Sequence, residues 1–457
     1  MTGDSQNAIY ILGSICGLAI FALVASAIAI TIRPLIKERD RTFLTAIVLL
    51  FVIAIIKIAL IPSFPGYLED IKQFKLWASV LASLGPGKIY DPEYACKYTP
   101  AYLYALWPAG VLASAFGTQH PEEALHIGVE IPLVLADFIL AILAYAVLRR
   151  SVSAHLALIG TILLAINPAF IYTSLSWGQN DAVLTTLILL SVMLVAESRF
   201  AMGWAVAVIA ALTKGQGLLM LPLLGIWTLA CGRREDWLRS AGAALIAAII
   251  VIAPFQFGHS WTWMFDLYAA SFGWFPRATA NAFNLMYLLG GLWSADSATM
   301  AGISYFALGA ILMSAAILFA GYVVWRRPEP STLMFSVFFA YLAMFVLGTR
   351  IHERYLYFAA ALIVPLLFES RASPALYAVL TATLLFNLIY ARMALEGQAR
   401  LGPHDSAATL AAIANVGAIV TAALWGIFIA SPPGLPSAQL PPIAQYFFSP
   451  PDFAKCK

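Results

Sequence analysis

The sequence predicts an all-α fold, a polytopic bundle of about 11–13 transmembrane helices, and three observations carry that prediction. Hydrophobic residues fill 62% of the 457 positions while charged residues fill only 11%, and the mean hydropathy is +0.86. A soluble chain of this size needs far more charge to cover its surface. The apolar residues also run on without alternation, in stretches close to the roughly 20 residues that a helix needs to cross a bilayer core about 30 Å thick. Continuous runs exclude a transmembrane β-barrel, whose strands alternate. The net charge of +3 is small and lies in short loops, so nothing points to nucleic acid.

In chain order the apolar stretches are 8–31, 43–61, 127–148, 156–175, 182–196, 203–213, 216–231, 240–257, 302–325, 332–348, 355–368, 374–391 and 407–430. Residues 1–7 lack the basic start of a signal peptide and the run after them is too long for one, so the first helix is expected to be retained. The stretch 203–213 is short, and Lys214 and Gly215 interrupt it, which predicts a partial helix. The four cysteines, at 16, 96, 231 and 456, have no metal-ligand spacing.

Basic loops favour the cytoplasm. Arg33–Arg41, Arg149–Arg150, Arg233–Arg239, Arg326–Arg327 and the turn Glu369–Ser373 all fall on that side if 101–118 lies in the outer interface instead of crossing. Tyr102, Tyr104, Trp107 and Pro108 suit such an interfacial helix. The N-terminus is then outside, and 62–126 is a large external loop carrying interfacial helices and one external cysteine, Cys96, for which no intrachain disulfide is expected. The organisation that follows is an extra helix and cytoplasmic loop over 1–42, a main module over 43–368, C-terminal helices over 369–431, and a proline-rich cytoplasmic tail over 432–457.

On this topology the unusual polar residues gather on the external face: Glu69, Asp70, Tyr98, Trp177, Gln179, Asp181, Lys214, Gln216, Asn281, Asn284, Arg350, His352, Glu353 and Arg354. A charge at a helix centre costs about 2.5–3.5 kcal/mol on the insertion scale, so a set of this size on one side predicts a polar cavity. Single members have plainer readings: Lys72 and Lys75 as a solvated helix face, Trp177 as an interfacial anchor, and Asp137 and His155 as interhelical hydrogen bonders.

The order of these motifs resembles the GT-C superfamily of membrane glycosyltransferases that use polyprenyl-phosphate-linked sugars. In pattern it is similar to the dolichyl-phosphate-glucose glucosyltransferases and to bacterial relatives. Asp70 stands seven residues before Trp77, as the family's external-loop aspartate stands before an aromatic-rich helix. Tyr98-Thr99-Pro100 resembles a Tyr-Pro-Pro element, with Thr99 as a departure. Trp177-Gly178-Gln179-Asn180-Asp181, Lys214-Gly215-Gln216 with Pro222, Asn281-Ala282-Phe283-Asn284 and His352-Glu353-Arg354-Tyr355 resemble further elements in the same order. The helix over 8–31 departs from the simplest family plan and is expected to stand apart from the chemistry.

The resemblance implies inverting transfer of a hexose from a polyprenyl-phosphate donor to a hydroxyl of a glycan, lipid or protein acceptor. Asp70 is the implied general base, ahead of Glu69. His352, Arg354, Lys214 and, less strongly, Arg350 are the cations for the leaving phosphate. Glu69, Tyr98, Trp177, Gln179, Asp181, Gln216, Asn281, Asn284 and Glu353 are the substrate-binding candidates. No metal or other cofactor is required by this scheme, although Asp70, Asp91 and Asp181 are the acids that would gather round a divalent ion. Short loops and the bacterial form of the motifs place the chain in a bacterial inner membrane with the site facing outward. The alternative is a multispan transporter or flippase of a lipid-linked or anionic substrate, which needs polar residues at the midplane and on both faces.

Overall fold

The computed structural model describes residues 3–116, 120–400 and 402–431; the proline-rich segment 432–457 and Cys456 lie outside the described residues. Within the bilayer every backbone N–H and C=O must be paired inside its own segment, so apolar runs become helices. Eight helices are long and apolar enough to cross: Gln6–Lys37, Arg41–Ser63, Pro121–Ser151, Arg234–Phe255, Tyr305–Arg326, Pro330–Leu347, Ala372–Leu395 and Ser406–Ala430. A ninth span, Ala154–Ala165 with Pro168–Trp177, is bent by 40°. The break falls at Pro168, which has no N–H to give the preceding turn, and Asn167 caps the new start by accepting from the Ala169 N–H.

The four remaining apolar stretches form shorter helices, Asp181–Ala196, Phe200–Ala211, Gly215–Cys231 and Leu356–Leu366. The partial helix expected over 203–213 is Phe200–Ala211, 12 residues or about 18 Å, too short to cross. Caps mark the ends of several elements. Asp40 accepts from the N–H groups of Thr42 and Phe43, and Ser153, Ser304 and Asp405 cap the helices that follow them.

The described residues fall into two compact units. The first holds Met1–Leu143, Thr173–Leu218 and Gly232–Trp274. Its N-terminal helix, Gly3–Lys37, packs on Pro100–Phe116 through a Gly13-xxx-Gly17 pair. A Cβ at Gly13 would strike Trp107, one at Gly17 would come within 3.1 Å of Tyr104, and Tyr10 meets Trp107 edge-on at 4.9 Å. Pro100–Phe116 is a 17-residue helix buried from Pro100 to Leu106 except at Ala105, and Gly110 lets it approach the Ala78 carbonyl of helix Leu68–Leu84. Phe200–Ala211 lies against Asp181–Ala196, where Ser191 donates to the Gly203 carbonyl at 2.9 Å.

The second unit holds Ala144–Tyr172, Leu219–Cys231 and the described residues from Phe275 to Ser431. Its helices are tied by aromatic contacts such as Phe335 on Trp425 (4.9 Å) and by buried amides. Asn415 donates to the Phe283 carbonyl, and Asn387 donates to the Asn281 carbonyl while accepting from the Phe283 N–H. The only strands among the described residues are the two-residue pair Thr299–Met300 and Ile303–Ser304.

Asp137 is an interhelical bonder, as read from sequence: Lys57 Nζ lies 2.7 Å from its Oδ2, both side chains being less than a tenth exposed. His155, given the same reading, is exposed on its helix, so that expectation is corrected; its first-turn position lets the ring reach outward. Removing one partner of a buried pair leaves the other charge uncompensated. Lys57→Met should therefore lower stability by about 3–5 kcal/mol, and Lys57→Met with Asp137→Leu should recover most of that loss. Thermal unfolding in a fixed detergent checks both.

Candidate active site

Asp70 lies in the first turn of helix Leu68–Leu84, whose N-cap is Tyr67. Its carboxylate is half-buried and Oδ2 accepts two N–H groups, from Trp177 Nε1 at 3.2 Å and Gln179 Nε2 at 2.5 Å. Both donors come from one turn. That turn is reached through a π turn, Tyr172–Trp177, and reverses at Gly178, where φ is +77°. The backbone ties the two segments as well, since the Tyr67 N–H donates to the Trp177 carbonyl at 2.9 Å. Side chains other than hydrogen do not fit at Gly178: a Cβ would meet Ile71 Cδ1 at 2.5 Å. Glu69 is different. Its side chain is exposed and pairs with Lys72 at 3.4 Å on the surface of the same helix.

The rest of the first unit's polar set surrounds this clamp. The Tyr98 hydroxyl reaches Gln179 Oε1 at 3.5 Å, and its ring packs among Phe74, Trp77 and Tyr102 at 5.3–5.6 Å. Lys214, one turn beyond helix Phe200–Ala211, is buried, with Nζ 2.6 Å from Asp181 Oδ1 and 3.4 Å from Asn180 Oδ1. The same ammonium lies 5.9 Å from the Tyr98 ring centre. Six candidates therefore come together: Asp70, Tyr98, Trp177, Gln179, Asp181 and Lys214. Gln216 is half-buried in the turn just after Lys214, and Glu69 stands outside the cluster.

Three residues of this cluster were not among the candidate site residues of the sequence. Glu130, within Pro121–Ser151, is wholly buried, and neither carboxylate oxygen has a hydrogen-bond partner among the described residues. Its Oε1 would lie 3.1 Å from a Cβ on Gly178 and 3.4 Å from one on Gly66, and His126 Nε2 is 3.9 Å away. Tyr102 is buried too. Burial, then the charges of Glu130 and Asp181, push its hydroxyl above the ordinary phenol range, so it keeps its proton. Asn180 spends its oxygen on Lys214, while its Nδ2 has no hydrogen-bond partner among the described residues. An acidic residue inside an apolar stretch was the available signal for Glu130.

In the second unit the segment Arg350–Tyr355 is pinned at its start. Arg350 has φ +61°, its N–H donates to the Arg277 carbonyl, and its Nε lies 2.6 Å from Asp296 Oδ2. Glu353 is buried against Arg354 (2.9 Å) and 3.9 Å from His352 Nδ1, whose ring stands edge-on to Phe275. Asn281 and Asn284 are framework. Asn281 Oδ1 accepts from Trp293 Nε1, and Asn284 donates to the Phe345 carbonyl and caps Tyr287. Of the other acids, Asp91 pairs with Lys88 at 2.9 Å. Among the described residues no three His, Cys, Asp or Glu side chains form a group able to hold a metal ion.

No family profile matches the chain, and none of the curated proteins matches it in sequence. Among solved structures it is similar to the oligosaccharyltransferase of Archaeoglobus fulgidus, in a crystal structure tethered through a disulfide bond to an acceptor peptide containing the NVT sequon. The identity is 14% and the TM-score 0.42, over 90% of this chain and 56% of that one. The chain thus spans little more than half the length of that protein. A likeness of this degree leaves the chemistry to be argued from the residues.

Cys96 sits in the loop that presents Tyr98 and is buried. Burial pushes its thiol up to about 12, against a smaller opposing effect of a hydrogen bond with the Tyr98 backbone. The thiolate is the reactive form, so maleimide should modify Cys96 slowly at neutral pH and about tenfold faster per unit of rising pH. Peptide mass mapping checks this, and unfolding in detergent should restore the ordinary rate.

Proposed function

We propose that this protein is a membrane glycosyltransferase with Asp70 as general base, moving a hexose from a polyprenyl-phosphate-linked donor to an acceptor hydroxyl with inversion. The observation that carries the reading is the clamp on Asp70 Oδ2 by Trp177 and Gln179. An alcohol attacks well only as its proton leaves, which calls for a carboxylate fixed in direction. With both donors on Oδ2, Oδ1 is the oxygen left to take the proton. The surface placement of Glu69, away from those donors, favours Asp70 over its neighbour.

The donor's phosphate gains charge as the sugar leaves, and fixed cations facing it lower the barrier. Arg354 and His352 suit that role, the guanidinium by bidentate contact and the imidazole as a donor. All three cations are paired with a carboxylate, Lys214 with Asp181 and Arg350 with Asp296 at 2.6 Å and Arg354 with Glu353 at 2.9 Å. Arg354 is preferred for the phosphate because it stands two residues from His352, whereas Lys214 and Arg350 make the shorter contacts. We assign them to bracing the turns that carry Trp177–Asp181 and His352–Tyr355. Tyr98 supplies an aromatic face for a sugar ring, and we assign Asn281 and Asn284 to holding the framework through Trp293 and the Phe345 carbonyl. The setting is a bacterial inner membrane with the cluster facing outward.

Purified protein incubated with a panel of polyprenyl-phosphate hexoses tests the reading through donor consumption. Asp70→Asn keeps the hydrogen-bonding shape and removes the base, so turnover should fall about 10²–10⁴-fold while donor binding stays within a few-fold. Near-normal transfer by this variant would rule out the base assignment. Arg354→Ala should weaken donor binding and slow the reaction together; unchanged values for both would move the phosphate elsewhere. Uptake of a lipid-linked or anionic solute into proteoliposomes without donor consumption would favour the transporter.

A further inference from the structure

The carboxyl group of Glu130, in helix Pro121–Ser151, is wholly buried and has no hydrogen-bond partner at either oxygen among the described residues. His126 Nε2, 3.9 Å from Oε1, donates instead to the Phe64 carbonyl at 3.1 Å. Folding alone does not favour an acid at this position. A buried polar group without hydrogen bonds is costly, and a leucine would fill a similar volume without that cost. An acid kept there calls for a use outside stability.

The place of Oε1 supplies one. The backbone bond from the Tyr67 N–H to the Trp177 carbonyl joins the helix that carries Asp70 to the turn that holds it. Gly66 stands immediately before Tyr67 and Gly178 immediately after Trp177, and both are left-handed, with φ +69° and +77°. A Cβ on Gly66 would come within 3.4 Å of Oε1, and one on Gly178 within 3.1 Å. A glycine carries a hydrogen in that position, so the Cα–H groups of both residues face one oxygen. Such groups are weak donors, and a carboxyl oxygen is an acceptor for them. Ile71, next to Asp70, closes the same corner, since its side chain would strike a Cβ at either glycine.

We propose that Glu130 is a positioning residue for Asp70, its Oε1 bridging Gly66 and Gly178 on either side of the Tyr67–Trp177 bond. The inference rests on the reading of Asp70 as the general base. Trp177 and Gln179, the two donors to Asp70 Oδ2, flank Gly178 in the chain, so whatever fixes Gly178 fixes both. The bridge therefore acts on the direction of the Asp70 carboxylate and leaves substrate binding to other residues. A leucine at 130 keeps the packing and removes the bridge, whereas a glutamine keeps an oxygen in place.

Glu130→Leu and Glu130→Gln test this in the full-length protein in nanodiscs. With whichever polyprenyl-phosphate hexose the panel identifies as donor, Glu130→Leu should lower kcat about tenfold and keep the donor KM within about twofold, because a misdirected base slows the chemistry alone. Glu130→Gln should lose only about threefold. Glu130→Leu should unfold at no lower temperature than the parent, since the unpaired carboxyl is gone. In an Asp70→Asn background Glu130→Leu should cost less than about twofold, because the residue it positions is no longer a base. The indole N–H resonance of Trp177, assigned by Trp177→Phe in protein carrying nitrogen-15 tryptophan, reads the clamp without turnover. In Glu130→Leu it should move towards its position in Asp70→Asn, and in Glu130→Gln it should stay nearer the parent position.

An unchanged kcat with an unmoved indole resonance in Glu130→Leu would overturn the proposal. So would equal losses in the parent and Asp70→Asn backgrounds, or a Tm that falls with kcat, since either marks a residue needed for the fold alone. If the parent consumes no donor, an indole resonance that moves in Glu130→Leu and much less in Glu130→Gln keeps Glu130 as the brace of the clamp and removes the transfer reading. Confirmed transfer with a silent Glu130→Leu does the reverse.

Discussion

Two N–H groups from one turn meet a single oxygen of Asp70, and much of the first unit is arranged around keeping that turn in place. The turn needs a left-handed residue without a side chain at Gly178, where Ile71 closes the space a methyl group would take. On its far side Lys214 draws in Asp181 and Asn180, neutralising a carboxylate that is wholly buried. The Tyr67–Trp177 backbone bond then sets the distance between the helix that carries Asp70 and the turn that holds it. A loop placed on its own in water would not keep a carboxylate so aimed, because the entropy of ordering several residues opposes it. Here apolar packing of Trp177, Phe74 and Tyr102, all nearly without exposure, supplies the opposing gain.

The ionisable groups inside this apolar chain follow one physical rule with one exception. Lys57 has Asp137, Lys214 has Asp181, Arg350 has Asp296 and Glu353 has Arg354, each within 3 Å. Such pairs add little net stability over apolar substitutes, but they make their geometry hard to leave, since separating the partners strands a charge. Glu130 breaks the rule. It is as buried as any of them and neither oxygen has a hydrogen-bond partner among the described residues, although its Oε1 lies where a Cβ on Gly178 or Gly66 would meet it, at 3.1 and 3.4 Å.

Much of the fold was legible in the residues. Each predicted apolar stretch corresponds to a helix, because helix formation in lipid depends on local hydrophobicity and little else. What hydropathy did not separate was spanning length from short buried helices: Asp181–Ala196 and Phe200–Ala211 are as apolar as the spans but are covered by protein. Of the site, the polar motifs of the first unit were found and do gather, with the exposed Glu69 as the exception. Asn281 and Asn284 carried the same kind of signal and turned out to bond their own framework, since an amide reads alike in sequence whether its partner is a substrate or a carbonyl. Glu130 was passed over because it is a single residue in an apolar run with no neighbouring motif to mark it, and Tyr102 because its aromatic side chain was read as part of an interfacial helix.

By itself the sequence determined that this is a multi-pass helical membrane protein, which apolar stretches form helices, and which polar residues have to be explained. Those are local properties, set by hydropathy, by proline and glycine, and by capping side chains along a few turns. The tertiary structure alone decided which carboxylate of Glu69 and Asp70 is held, which cations are already paired, and that Gly13 and Gly17 seat the first helix against Tyr104 and Trp107. Such outcomes depend on side chains brought together from segments as far apart as Asp70 and Gln179. A hydrogen bond a few ångströms long leaves no trace in the spacing of residues more than a hundred positions apart.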